Sequence, residues 1–224
     1  MYKEQMDVEL YLLHVGFLDN EEIFKKKLRQ VSTQRQEKVL KNKIWADRKR
    51  SLGAGLLLEQ ILGERGYGAD EIAVGESGKL YLSDVDDFFF SISHSGDYAA
   101  CVISDVPVGV DIQQKRETKA HIARRFFQQS EAEMIEKTPE EKRDELFFRF
   151  WTGKESYLKM KGRGISDGMD SFFVNLDEMR IVDKYNPEEM IYLKEYKCLE
   201  DYYISVACYS SRFSALVKKI YYRL

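Results

Sequence analysis

The segment WTGKESYLK, at residues 151–159, places an aromatic side chain, a carboxylate and an ammonium group four residues apart. In a helix this spacing puts Trp151, Glu155 and Lys159 on one face. Glu155 and Lys159 by themselves are typical of an exposed ion pair worth about 0.3–0.5 kcal/mol. The segment then continues into a basic stretch where two glycines flank Arg163, which leaves room for a large ligand near the backbone. Glu155 and Lys159 are therefore candidate ligand-binding groups, with a surface ion pair as the alternative.

A second candidate carboxylate lies in the segment VGVDIQ, at residues 108–113. Strand alternation places the valines and the isoleucine on one face and Gly109, Asp111 and Gln113 on the other, so Asp111 is predicted to be open to water or to a ligand. A carboxylate with an amide oxygen two residues further on makes an oxygen-rich half-site, which Mg²⁺ completes with substrate phosphates and water. The alternative is an ordinary half-exposed strand.

Hydroxyl groups alternate with other side chains in the segment FSISHSGDY, at residues 90–98. At the end of a strand and beside these hydroxyls, His94 could donate to a phosphate, and a neighbouring dianion would raise its pKa above about 6.5. The alternative is a structural histidine that caps the hairpin. A serine hydrolase is not indicated, because the chain has no GxSxG segment and His94 is too close in sequence to Ser93 and Ser95 to imply a triad.

Other common sites are missing from the sequence. It has no GxxxxGK(S/T) phosphate loop and no GxGxxG segment after a predicted strand. Its histidines, His14, His94 and His121, are too scattered to define a zinc site. The formal net charge of −3 gives no indication of a protein that binds nucleic acid or an anionic membrane.

The composition of the chain indicates its compartment. Three cysteines without metal-ligand spacing favour a reducing environment. The first residues, MYKEQMDVELYLLHVGF, carry acidic groups where a signal peptide is basic, and their apolar run is too short to span a bilayer. We therefore expect a cytoplasmic protein that does not cross a membrane.

The candidate residues must be held by an α+β scaffold. The clearest helix of the first half covers residues 44–66, and a second helical block runs from 120 to 161. Short extended segments follow each helix, and YAACVIS in the first half resembles YISVACYS in the second. We expect a pseudo-duplicated fold of two lobes, residues 1–106 and 107–224, each with a long helix packed on a small, mainly antiparallel sheet. The alternative is that the likeness between the halves is chance.

Taken in order, these segments resemble the motifs of the 4′-phosphopantetheinyl transferases of the surfactin-synthetase-activating type. That family carries a Gly-Ile/Val-Asp-x-Glu strand, preceded by an Asn/Ser-Ile-Ser-His-Ser-Gly segment and followed by a Trp-x-x-Lys-Glu-Ser/Ala-x-x-Lys helix. The corresponding segments here are SISHSG at 91–96, GVDIQ at 109–113, RRFFQQSE at 124–131 and WTGKESYLK at 151–159. The likeness covers nearly the whole chain, and the ordered set is more specific than any one motif.

The resemblance implies transfer of 4′-phosphopantetheine from coenzyme A to a serine of an acyl or peptidyl carrier protein, with release of 3′,5′-ADP. It implies that Asp111 and Glu155, in the second lobe, bind Mg²⁺ at the coenzyme A diphosphate and that Lys159 contacts the same diphosphate. Glu131 matches the family's candidate base for the serine proton.

The resemblance also implies coenzyme A contacts in the first lobe, which would hold the 3′-phosphate and adenine side. They are Arg35 and His94 at the 3′-phosphate, and Lys38, Ser51, Lys79 and Ser93 elsewhere on the molecule.

The sequence departs from the family pattern at two positions. Gln113 stands where the family has its second metal-binding glutamate, and a neutral amide oxygen contributes less charge to a metal site. We therefore expect Gln113 to be a secondary ligand, directly or through water. Leu80 replaces the proline of the family's Gly-Lys-Pro turn after Lys79, so this turn is expected to be looser.

The expected partner is an acidic carrier protein. The segment from 114 to 129, QKRETKAHIARRFFQQ, combines basic residues with the pair Phe126-Phe127, which suits an acidic surface. The alternative is that both phenylalanines belong to the core and the charges are merely solvated. We expect a monomer, because one chain can supply both sides of the cleft.

Two other functions compete with a transferase. The first is a non-catalytic module of the same fold that binds a carrier protein or coenzyme A, which the change at Gln113 makes conceivable. The second is a coenzyme A- or nucleotide-binding protein with another activity. The presence of Asp111, Glu155 and Lys159 favours the enzyme.

Overall fold

Helices pack on the outer sides of two sheets that face each other, in a computed structural model that describes residues 5–75, 77–117, 120–164 and 168–222. The helices are α1 (Glu21–Leu28), α2 (Thr33–Lys41), α3 (Trp45–Glu64), α4 (Ala120–Phe126), α5 (Gln129–Lys137) and α6 (Glu140–Lys161). The strands are β1 (Val8–His14), β2 (Ile72–Val74), β3 (Leu80–Leu82), β4 (Phe89–Ser95), β5 (Tyr98–Ser104), β6 (Val108–Gln114), β7 (Phe172–Asn175), β8 (Arg180–Asp183), β9 (Ile191–Glu195), β10 (Tyr202–Cys208) and β11 (Phe213–Ile220).

The first sheet has the strand order β11-β1-β5-β4 and is covered by α3. Leucines recur along α3 at helical spacing, so that Leu52, Leu57 and Leu62 are all buried. They pack with the face of β1 and β5 that carries Leu13 and Cys101. The helix predicted for residues 44–66 is thereby confirmed, with its bounds at Trp45 and Glu64.

The second sheet has the order β6-β10-β9-β8-β7, is antiparallel throughout, and is covered by α6. Phe148 and Phe150 from the middle of α6 are buried with Phe172 of β7. Between the two sheets lies a third apolar layer, in which the opposite faces of β1, β5, β6 and β10 meet. The predicted α+β class, with a long helix on each of two mainly antiparallel sheets, is confirmed.

One strand crosses between the halves of the chain. β11 runs parallel to β1 and pairs with it from Val8↔Phe213 to Leu13↔Ile220. A strand from the second half of the sequence therefore forms the edge of the first sheet. The division of the chain into lobes at residue 106 stays a prediction.

The contact between α6 and β6 is unusually close. A Cβ atom on Gly109 would lie 2.0 Å from the carbonyl oxygen of Ser156 and 2.4 Å from the backbone nitrogen of Met160. Only glycine fits there, because the helix backbone rests directly on the strand. This packing brings the helix face with Glu155 and Lys159 beside Asp111.

Serine hydroxyls join the two sheets at the seam between β4 and β6, which are edge strands of different sheets. The side chains of three alternating serines on β4 accept hydrogen bonds from alternating backbone N–H groups on the free edge of β6. The bonds run from Val110 N to Ser91 Oγ (3.2 Å), from Ile112 N to Ser93 Oγ (3.4 Å) and from Gln114 N to Ser95 Oγ (3.0 Å). We refer to these three bonds as the serine ladder.

Within the described part of the chain, no helix combines the length and the apolar character needed to cross a membrane.

Candidate active site

Asp111 is the centre of the polar cluster between β6 and α6. Its carboxylate is 2% exposed, and both oxygens are engaged. Oδ1 accepts hydrogen bonds from Ser93 Oγ at 2.8 Å and from Lys159 Nζ at 2.7 Å, while Oδ2 accepts from Gln113 Nε2 at 3.1 Å. The prediction that Asp111 is open to water was wrong, because α6 and the serines of β4 cover the face of the strand on which it lies.

Glu155 is the second carboxylate of the cluster. It is half-buried on α6, and it makes no hydrogen bond or ion pair with any residue that the structure describes. Withdrawal from water and the nearby charge of Asp111 raise the pKa of Glu155 to about 7, although Lys159 partly offsets them. An unpartnered carboxylate held beside a second one is a site that attracts a cation.

Lys159 lies between the two carboxylates but is bonded to one of them. Its Nζ donates to Asp111 Oδ1 and, at 2.9 Å, to Ser93 Oγ. The alternative interpretation of the sequence, a surface ion pair between Glu155 and Lys159, is therefore not what forms. Lys159 supplies the positive charge that allows Asp111 to be buried.

The donor groups of this cluster suit a hard divalent cation. Asp111 and Glu155 offer two carboxylates, and Gln113 offers an amide next to them. Among the described residues, no group of three or more histidine, cysteine, aspartate or glutamate side chains is arranged to hold a metal. Two carboxylates are a donor set that fits Mg²⁺, which proteins hold through one or two carboxylates together with substrate phosphates.

Gln113 is half-buried and points its amide nitrogen at Asp111. In this orientation the side chain is a hydrogen-bond donor to Asp111. Its oxygen would reach a cation beside Asp111 only after that bond is broken. The role of Gln113 as a secondary metal ligand stays a prediction.

A cationic groove leads away from Lys159. A cavity of about 190 Å³ is lined by Lys38, Lys79, Lys159 and Arg163, among others. A second cavity, of about 340 Å³, shares Lys38 with the first and is lined further by Arg35 and by apolar side chains of β2 and β3. The structure therefore brings Arg35, Lys38, Lys79 and Lys159, four residues predicted to contact one ligand, along a continuous groove.

The cations of the groove are crowded, and they outnumber the two glutamates, Glu37 and Glu59, that line its second cavity. Burial lowers the pKa of Lys79 to about 8, and its Nζ donates to the carbonyl oxygen of Met160 at 2.5 Å. Burial, together with the charge of Arg35, also lowers the pKa of Lys38. Burial lowers the pKa of Arg35, and the charge of Glu59 offsets this only in part. Such a groove favours a polyanionic ligand, because phosphates would neutralise the repulsion between these groups.

His94 lies at the end of β4 with an exposed side chain. Protein atoms around the ring withdraw it from bulk water although part of its surface is exposed, and this desolvation, with the positive charges of Lys159 and Arg50, lowers the pKa of His94 to about 4. Arg50, on α3, was not among the predicted site residues. Its Nη1 lies 3.5 Å from the carbonyl oxygen of Gly96. In the sequence, the only indication of a role for Arg50 was that it precedes Ser51, a predicted coenzyme A contact on a predicted helix. Ser51 itself is buried on α3.

Glu131 lies in a different environment from the cluster around Asp111. It is 3% exposed on α5 and forms an ion pair at 2.7 Å with Lys154, which is fully buried. The carboxylate also accepts backbone hydrogen bonds from Gln128 N at 3.0 Å and from Val174 N at 2.9 Å. In this structure Glu131 is therefore committed to holding α5, α6 and β7 together. Its role as a base stays a prediction.

The surface predicted for a carrier protein is only partly as expected. Phe127 is buried against Phe147 and Trp151, whereas Phe126 is half-buried. The side chains of Lys115, Arg116 and Arg125 are exposed. Residues 118 and 119, and the side chains of 120 and 121, lie outside the described residues. Phe127 thus belongs to the core, and the exposed groups of the segment are mainly basic.

Comparisons with known proteins identify relatives of the chain. Residues 107–207 match the family model described as the 4′-phosphopantetheinyl transferase superfamily. A 4′-phosphopantetheinyl transferase from Bacillus subtilis is 31% identical over 182 residues, which cover 79% of this chain and 81% of the relative. The 4′-phosphopantetheinyl transferase Sfp from Bacillus subtilis (strain 168) is 30% identical over 186 residues, with the same coverage. The 4′-phosphopantetheinyl transferase psf-1 from Bacillus pumilus is 34% identical over 135 residues, or 59% of this chain and 58% of the relative.

Proposed function

Because the chain belongs to the 4′-phosphopantetheinyl transferase family, we propose that it transfers the 4′-phosphopantetheine group of coenzyme A to a serine of an acyl or peptidyl carrier protein, with Mg²⁺ as cofactor and 3′,5′-ADP as the released product. The observation that carries this proposal is the arrangement of Asp111, Glu155 and Lys159 at the end of a cationic groove. Two carboxylates and a lysine at such a place can hold a diphosphate and the cation that accompanies it.

Asp111 and Glu155 would hold the Mg²⁺ ion, and the amide of Gln113 would lie beside it. The chemistry that the ion supplies when bound is neutralisation of the charge that develops on the leaving 3′,5′-ADP. The unpartnered state of Glu155 and its raised pKa support this assignment, because a carboxylate in that state gains from a cation.

Lys159 would donate to the diphosphate. Its Nζ contacts Asp111 and Ser93, and its side chain lines the groove, so it would be available to a phosphate oxygen of a ligand bound there. A positioned ammonium group orients the diphosphate and stabilises the negative charge of the leaving group.

The groove would bind the rest of the nucleotide. Arg35 and His94 are assigned to the 3′-phosphate, and Lys38, Lys79, Ser51 and Ser93 to other contacts with coenzyme A. Of these residues, Arg35, Lys38 and Lys79 line the groove, whereas His94, Ser51 and Ser93 are not among its lining residues. The excess of cations over glutamates in the groove, and the lowered pKa values of Arg35, Lys38 and Lys79, support a polyphosphorylated ligand.

The serine of the carrier protein must lose a proton during the transfer. The resemblance assigns this proton to Glu131, directly or through water. Glu131 would first have to leave Lys154 and the two backbone N–H groups that it now accepts from. The proposal therefore includes Glu131 as the base only together with such a rearrangement.

The carrier protein would approach the basic surface around Lys115, Arg116 and Arg125. These exposed charges suit an acidic partner and predict an association rate that falls as salt is added. We further propose that the enzyme acts in the cytoplasm and as a monomer, since one chain supplies both the groove and the carboxylates.

Mass spectrometry of an apo carrier protein incubated with this chain, coenzyme A and Mg²⁺ tests the proposal. A mass gain of one phosphopantetheine group on the carrier serine is expected, and no gain with any carrier would overturn it. A non-catalytic binding module of the same fold would bind the carrier protein or coenzyme A without this gain.

The variant Glu155→Ala is the control for chemistry at the cluster. It should lose metal-dependent transfer and keep the fold, because Glu155 has no partner in the described part of the protein. An unfolded Glu155→Ala variant would mean that Glu155 is structural.

A further inference from the structure

The serine ladder fixes the register between β4 and β6. Each hydroxyl of the ladder accepts a hydrogen bond from one backbone N–H group of β6. Successive bonds are two residues apart along both strands. Asp111 lies on β6 between the N–H groups of Val110 and Ile112 that the ladder binds. His94 lies on β4 between Ser93 and Ser95. The ladder therefore fixes the relative position of the backbone at Asp111 and at His94.

The outer end of the ladder is closed by a second contact between the two sheets. The turn after β4 is formed by Gly96 and Asp97, and Gly96 has a φ of +52°. A Cβ atom on Gly96 would lie 2.3 Å from Tyr202 Oη and 2.6 Å from Gln114 Oε1, so this turn fits against the second sheet only with glycine. The hydroxyl of Tyr202 accepts a hydrogen bond from Asp97 N at 2.9 Å.

Aromatic packing strengthens this end of the seam. The ring of Tyr202 lies edge-on to that of Tyr98, with centroids 5.1 Å apart, and Tyr98 lies edge-on to His14 at 5.0 Å. Tyr202 comes from β10 in the second sheet, whereas Tyr98 and His14 belong to the first. A row of three rings thus crosses from one sheet to the other directly behind the turn.

The turn held in this way adjoins groups of the proposed phosphate site, which lie on β4 and α3. His94 immediately precedes Ser95, and Arg50 reaches the carbonyl oxygen of Gly96. Neither Ser95 nor Tyr202 lines the groove in which coenzyme A is proposed to bind, and His94 is close to Lys159 of the groove without being one of its lining residues. Any influence of Ser95 and Tyr202 on ligand binding must therefore pass through the position of the turn.

We propose that Ser95 and Tyr202 are positioning residues for the 3′-phosphate of coenzyme A. From the second sheet, Tyr202 and the backbone of Gln114 hold the turn at residues 95–97, which directly follows His94 on β4. The turn thereby keeps His94 at a fixed distance from Asp111. The inference rests on the proposed function, in which His94 contacts the 3′-phosphate and Asp111 holds the metal at the diphosphate. In this proposal a rigid seam holds the two contacts at a fixed spacing, which favours one ligand that carries a 3′-phosphate and a diphosphate.

The experiment compares the affinities of coenzyme A and 3′-dephospho-coenzyme A by isothermal titration calorimetry at one fixed Mg²⁺ concentration. The dissociation constant of 3′-dephospho-coenzyme A divided by that of coenzyme A measures recognition of the 3′-phosphate alone. Tyr202→Phe removes only the hydroxyl and keeps the ring packing, and Ser95→Ala removes the last bond of the ladder. We expect each variant to reduce the ratio by about three- to tenfold, the range for loss of one hydrogen bond, with turnover at saturating coenzyme A unchanged.

Tyr203→Phe is the matched control. Tyr203 neighbours Tyr202 on β10 and stacks on Phe148, and its hydroxyl has no hydrogen-bond partner among the described residues. The ratio of the two dissociation constants in Tyr203→Phe should equal that of the unaltered protein.

Each outcome of the titration has one meaning. A wild-type ratio in both Tyr202→Phe and Ser95→Ala, or equal weakening of both ligands, would overturn the positioning role and leave the proposed function intact. If the unaltered protein does not distinguish the two ligands, the roles of Arg35 and His94 at the 3′-phosphate fail, and the positioning role fails with them.

Discussion

Lys159 and Asp111 form an ion pair at 2.7 Å across the contact between α6 and β6, and this pairing leaves Glu155 without a partner in the described part of the protein. The ammonium group thus contacts the carboxylate that is proposed to bind the metal ion. The site holds two carboxylates and one internal cation, so the proposed divalent cation would compete with Lys159 for Asp111. A diphosphate that attracts Lys159 would remove this competition.

The first prediction is that Lys159→Met tightens metal binding while it lowers transfer. Without coenzyme A, the affinity for Mn²⁺ should rise by about tenfold, because a positive charge next to the ligand carboxylate is lost. Electron paramagnetic resonance of free Mn²⁺ measures this affinity. The control is Lys161→Met, since Lys161 pairs with Glu189 and Tyr209 instead. Equal affinities in Lys159→Met and the unaltered protein would show that Lys159 does not compete with the metal.

The second prediction concerns the amide that replaces a carboxylate. Gln113→Glu should lower the Mg²⁺ concentration needed for half-maximal transfer, because it adds a charged oxygen beside Asp111 and removes a competing hydrogen-bond donor. Transfer assays over a Mg²⁺ series measure the change. Gln30→Glu, in an exposed turn between α1 and α2, controls for the added charge. An unchanged Mg²⁺ requirement would place residue 113 outside the metal shell.

The third prediction separates the structural role of Glu131 from a catalytic one. Glu131→Gln should lower the free energy of unfolding by about 3–5 kcal/mol, because the fully buried ammonium group of Lys154 would lose its counter-ion. Denaturant unfolding measures the loss. Adding Lys154→Met to this variant should restore much of the stability, since the uncompensated charge is then removed. A Glu131→Gln variant that is as stable as the unaltered protein, yet inactive, would instead favour the role of a base.

The fourth prediction is a pH dependence that arises from His94. Its pKa is lowered to about 4 in the folded protein, while the unfolded chain keeps a value of about 6.5. Between these values the unfolded state binds more protons, so the free energy of unfolding should rise with pH through this window and level off above it. Urea unfolding at a series of pH values should show a smaller slope for His94→Gln. An identical slope in both proteins would mean that His94 does not titrate in this range.

Much of the candidate site was predictable from local patterns. Helical spacing placed Glu155 and Lys159 on one face of α6, and strand alternation placed Asp111 and Gln113 on one face of β6. The resemblance to a known family then joined these segments, and the relatives confirmed it. The side chains that form one cluster in the structure were thus predicted together.

Which side chains pair with which in the structure was not predictable in the same way. Lys159 pairs with Asp111 and not with its helical neighbour Glu155, because burial at β6 makes Asp111 the carboxylate with the greater need for a counter-ion. Ser91 and Ser95 were noted in the sequence only as hydroxyls that alternate beside His94, whereas in the structure they accept hydrogen bonds from a strand in the other half of the chain. Contacts between distant segments carry no local signature in one sequence.

The parallel pairing of β11 with β1 has a consequence for how the molecule is made. A ribosome releases β1, α3, β4 and β5 long before it reaches β11, so the first sheet must wait with an unpaired edge at β1 until nearly all of the described chain has been synthesised. Such late closure slows folding and leaves an edge that nascent chains or chaperones can bind. For the same reason, residues 1–106 expressed alone would lack a strand of their own sheet. The two halves of this protein are interdependent in biogenesis, even though each has its own long helix and apolar core.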